Sequence, residues 1–151
     1  MKTFILKEAS GDKYEDYLGE EKDNKIEIKL HDVKKFNYIV LVNPEDSKHI
    51  CVINNMILGL KDTNRLCFLP DDSSNAQPDI KYAGVLKVMC RYKNEDKINS
   101  EYESHMIFLD KPLARINGKV FILIPGGSLL IRLEKAIMEA NLFIDCNEQE
   151  I

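Results

Sequence analysis

The residues with most scope for chemistry in this chain are three histidines, four cysteines and a serine beside paired glycines. His31, His49 and His105 lie far apart, and none sits in an H-x-H or H-E-x-x-H pattern that would gather a metal. His49 and Cys51 are two apart on a strand-like run, so they share a face and could touch one ion. With no further ligand beside them they read as a rim histidine next to a core cysteine. Cys51, Cys67 and Cys90 stand in apolar runs, Cys146 lies near the C-terminus, and no two form a C-x-x-C knuckle. That usage predicts reduced thiols without a disulfide, and a cytoplasmic protein. No metal and no cofactor is expected.

Gly126-Gly127-Ser128 follows Pro125 at the end of an apolar run. The serine resembles a nucleophile elbow only in lying at a strand-to-helix turn, since the glycine spacing differs and no parallel sheet is expected around it. As the N-cap of a helix it has a simpler task, accepting a free backbone N–H. A helix start also offers N–H groups and partial positive charge to an anion, and glycines let a ligand approach the backbone. Gly126, Gly127 and Ser128 are therefore the expected ligand-binding residues. No catalytic residue is assigned, and the chain is not expected to be an enzyme.

Charged runs carry less. Asp71-Asp72 and Glu20-Glu21-Lys22-Asp23 lack EF-hand spacing and read as solvated loops. Lys81, Lys87, Arg91 and Lys93 fall on one face of an extended run and Tyr82 and Tyr92 on the other, whereas a nucleic-acid surface would interleave them. Glu101 and Glu103 are expected opposite the basic strip, as cross-strand charge partners.

The 151 residues, 44 % hydrophobic and 30 % charged, suit one globular domain over residues 1–151. A chain this long buries roughly two-thirds of its unfolded surface and can fold without metal or disulfide. A net charge of −4 and a pI near 5.4 argue against a nucleic-acid partner held by phosphate contacts. The opening Met1–Lys7 has a short apolar stretch with no cleavage-like site, and no window approaches a membrane span.

The elements that must position these residues are mostly strands. Residues 25–30 alternate, with Ile26, Ile28 and Leu30 on one side. Runs 37–42 and 49–53 flank a loop at Asn43–Ser47, and runs 56–60 and 65–69 flank Asp62-Thr63-Asn64, both hairpin-like. Runs 80–93 and 97–109 are registered as a long antiparallel pair around Asn94-Glu95-Asp96, with Val88 opposite Tyr102, Leu86 opposite Ser104 and His105 opposite Val85. Asn117-Gly118 predicts a type I′ hairpin between Leu113–Ile116 and Lys119–Ile124. Val120–Ile124, apolar on both faces, is expected in the sheet interior with a helix over one side. That amphipathic C-terminal helix starts at Ser128, carries Leu130, Leu133, Ile137 and Ala140 as its stripe, and stops at Asn141. A short strand over Leu142–Cys146 is expected after it. Residues 8–25 and 71–79 read as exposed loops.

The expected fold is mainly β (α+β): a curled antiparallel sheet, barrel or sandwich of about ten strands with one C-terminal helix. The expected function is a non-catalytic interaction protein that binds a protein partner or copies of itself, of an inhibitor, immunity or assembly-subunit kind by analogy of body plan. The alternative is a binder of a small anionic ligand or nucleotide, in a barrel pocket or at Gly126–Ser128.

Overall fold

The structure, a computed structural model, describes residues 2–7, 25–62, 64–71, 81–94, 104–107, 113–116 and 119–151. Among the described residues ten strands form one antiparallel sheet: β1 Thr3–Lys7, β2 Lys25–Val42, β3 His49–Gly59, β4 Asn64–Asp71, β5 Lys81–Ala83, β6 Leu86–Arg91, β7 Ser104–Ile107, β8 Leu113–Ile116, β9 Lys119–Leu123 and β10 Ser128–Glu150. The order is β1-β9-β3-β10-β2-β6-β5, with β4 added to β10, β7 to β4 and β8 to β3.

The spine is β10, 23 residues long, and its extent corrects the expected helix. Leu129, Ile131 and Leu133 are buried by alternation, as are Ala140, Leu142, Ile144 and Cys146. A helix would have satisfied its own backbone. Here both sides of the segment find strand partners, and pairing with packing on two faces outweighs helix propensity. The helix-favouring residues Glu134–Glu139 fall where β10 slips register, between Arg132 and Glu139. The expected stop at Asn141 lies inside the strand, opposite Gly59 and Lys29.

Three long paths run side by side. Ser128–Arg132 lies between Val42–Tyr38 of β2 and Asp71–Cys67 of β4; Asn141–Asp145 lies between Lys29–Lys25 of β2 and Gly59–Asn55 of β3. Both expected hairpins at these strands are corrected accordingly. β10 separates β2 from β3, and β3 and β4 follow one another along the same side of β10. The corner at Leu60–Asp62 sits level with the register slip in β10 and with a matching irregularity in β2 between His31 and Tyr38.

Two further pairings differ from expectation. The long run at 80–93 is broken by a two-residue turn at Gly84-Val85, where Gly84 takes φ 62, so β5 pairs β6 with Ala83 opposite Leu86. β6 pairs β2 on its other side, and β7 pairs β4, which puts His105 opposite Leu66. β8 and β9 do not form the expected hairpin: both pair β3, β8 along Met56–Gly59 and β9 along Cys51–Ile53. Asn117-Gly118, Asn94-Glu95-Asp96 beyond Asn94, and the loops at 8–24 and 72–79 lie outside the described residues.

The sheet bends over itself. Phe68 of β4 and Phe121 of β9, on strands that are not neighbours, meet in a tilted ring contact with centroids 5.0 Å apart inside one large core. Thr3 Oγ1 donates to the Ser128 carbonyl at 2.8 Å, and the Val85 N–H donates to Glu148 Oε1 at 2.8 Å, which ties β1 and the β5–β6 turn to β10. A second cluster of Tyr38, Val40, Val42 and Met89, with Leu69 and Leu130 against it, lies on the opposite face of β2 and β6. Residues 37–42 are thus buried on both sides, as their unbroken apolar run demands.

Candidate functional site

Two features stand out among the described residues. The first is the outer face of β1, β9 and β3. On β1, Thr3 is buried and Ile5 packs on the core, which turns Phe4 and Leu6 outward, at 37 % and 49 % exposed. Register places Phe4 beside Ile122, Leu6 beside Val120, and Val52 beside Ile122 on the far side. Val120, Ile122 and Val52 are half-buried, so five apolar side chains share one outward face. The expected helix was to cover one side of Val120–Ile124, and the residues of that helix form the strand β10 instead.

The second feature lies where the three long paths slip. On the outward side, His31 of β2 faces Glu139 of β10, and Glu139 is ion-paired with Lys61 from the corner after β3. One step along, Lys29, Asn141 and Gly59 form the next row. The absence of a side chain at Gly59 helps leave a groove of about 430 Å³, floored by Leu30, Leu60 and Ala140. It runs into a hollow of about 470 Å³ lined by Lys35, Asp62 and Met138, with His31, Lys61 and Glu139 shared between the two. The hydrogen bond and charge of Lys61 hold the Glu139 carboxyl below its ordinary range, with a smaller push from His31. The same contact raises Lys61.

The residues singled out in the sequence fall elsewhere. Gly126 and Gly127 lie in a turn with no helix after it: the Gly126 N–H donates to the Asn43 carbonyl at 2.7 Å and the Gly127 N–H to the Ile124 carbonyl at 2.8 Å. A Cβ on Gly127 would run into the Lys2 carbonyl oxygen. Ser128 is fully buried. The donor array that recommended this turn is therefore engaged within the protein. His49 opens β3 and shares its face with Cys51, whose neighbour is the Cys146 thiol. Among the described residues no three His, Cys, Asp or Glu side chains come together to hold a metal. Neither did sequence spacing point to His31 and Glu139, which are 108 positions apart and meet only through β-pairing.

The turn at Gly84 also rearranges the basic strip. Tyr82 stands opposite Lys87, on the same face as Arg91, and Lys93 lies 5.5 Å from the centroid of the Tyr38 ring. Lys87 pairs in register with Tyr82 and Val42, and the expected partners Glu101 and Glu103 lie outside the described residues. Among the described residues no helix is long and apolar enough to cross a membrane. Compared with known protein families, curated proteins and solved structures, the chain matches none.

Proposed function

We infer that the protein is a non-catalytic interaction module that binds another protein, or a copy of itself, through the outer face of β1, β9 and β3. The observation that carries this reading is the pair Phe4 and Leu6, exposed on a strand whose one described pairing in the sheet is with β9. Native sheets usually blunt such strands with charge or proline. A contiguous apolar patch at an edge marks a contact surface, and a partner strand or apolar face laid over it removes that surface from water at roughly 25 cal/mol per Å².

The experiment is a quantitative capture of binding partners by wild-type protein and by the Phe4→Lys and Leu6→Lys variants, with thermal unfolding run beside it. A stoichiometric partner, or a self-complex, that is lost in both variants at unchanged melting temperature supports the reading. Identical captured sets from all three proteins remove it.

A further inference from the structure

We propose that the groove at the shared slip of β2, β10 and the β3–β4 corner binds a small anionic metabolite, held by its phosphate or carboxylate group. Lys61 and Glu139 neutralise one another by direct contact. Around them, among the described residues, the groove keeps the lysines Lys29 and Lys35, beside His31, against one acid, Asp62. The patch is therefore cationic on a chain whose net charge is −4. Such a local reversal is what focuses an anion onto a surface.

The shape agrees. A space of about 430 Å³ falls within the range of small-ligand sites, which combine an apolar floor with a few polar groups that fix orientation. Here Leu30, Leu60 and Ala140 supply the floor, and Asn141 offers an amide beside it. The lysines are exposed and long, so they can close on an anion without rearranging the sheet. Glu139 sits between Lys61 and His31 and holds the Lys61 ammonium, so the site has one cation in reserve. This proposal is independent of the apolar face on β1.

The test titrates the full-length protein with inorganic pyrophosphate and with adenosine monophosphate, following backbone amide shifts at low and moderate salt. Shifts confined to the groove, weakening as salt rises, are expected. The double variant Lys29→Glu/Lys35→Glu should weaken binding roughly tenfold or more, by removing two attractive charges and adding two repulsive ones. Glu139→Gln should do the opposite and tighten binding, because it frees Lys61 and removes the one carboxylate in the row. Lys29 and Lys35 are exposed and Glu139 is half-buried, and the melting temperature reports that the fold is kept. No groove shifts at millimolar ligand, equal affinity in the double reversal, or weaker binding in Glu139→Gln would each overturn the proposal.

Discussion

Single residues in this protein are tuned mainly by burial and by close backbone approach. Burial pushes the Cys90 thiol up to about 11, with Asp32 adding to the rise and Lys81 opposing it. Cys146 is raised as well, first by its hydrogen bond with Cys51 and then by burial. Raised thiols hold their protons in the folded state while unfolded thiols ionise near 9. Stability should thus be level below about pH 9 and fall as pH rises towards about 11. Denaturant unfolding under reducing conditions at about pH 8 and about pH 10 measures this, and Cys90→Ala should flatten part of the slope. Alkylation of Cys90 in the native protein at about pH 8 should be slow compared with an unfolded control. Gly127 supplies the second residue-scale expectation. Gly127→Asp should cost roughly 1–3 kcal/mol, because its Cβ meets backbone oxygen that cannot swing away. A loss of that size in the denaturation midpoint confirms close packing, and an unchanged midpoint contradicts it.

At the scale of elements, alternation carried the reading a long way and then failed for a definite reason. Residues 25–30 and 37–42 showed their strands plainly, since Ile28 and Leu30, then Ile39 and Leu41, recur with period two. Residues 128–140 carried two periods at once. Leu130, Leu133, Ile137 and Ala140 mark a helical stripe, whereas Leu129, Ile131 and Leu133 mark a strand face. Only the availability of β2 and β4 on either side decides between them, and that is not a local property. Pairing was equally hidden: Asn43–Ser47 and Asn117-Gly118 have turn chemistry, but the strands beside them pair with third strands. Two expectations belong here. Ile131→Ala should cost about 2–5 kcal/mol, since Ile131 is fully buried. Amide exchange should be slow through Ser128–Leu133 and Asn141–Asp145 and faster at Ala136 and Met138, where the ladders slip. Uniform protection from 128 to 145 would argue for a straight, unbroken spine.

For the molecule as a whole, the class of fold was readable and the candidate surfaces were not. Phe4 and Leu6 are legible only as part of a short apolar run, and their exposure depends on which strand lies beside β1. His31 and Glu139 come from two strands and Lys61 from the corner after β3, and nothing in their spacing announces the row they make. Leu6→Lys should leave stability within about 0.5 kcal/mol while lowering dye binding by exposed apolar surface. A large drop in melting temperature would show instead that Leu6 is a structural contact. The position of β10 in the sheet has one more consequence, for the order in which the protein can be made. Synthesis runs from the N-terminus, so β2, β3 and β4 leave the ribosome well before the strand that lies between them. Contacts such as Ser128 with Val42 and Asp145 with Lys25 span most of the chain, and such distant pairings close slowly. Until residues 128–150 have emerged, the nascent protein carries unpaired apolar strand edges, and in that interval it is most in need of a chaperone.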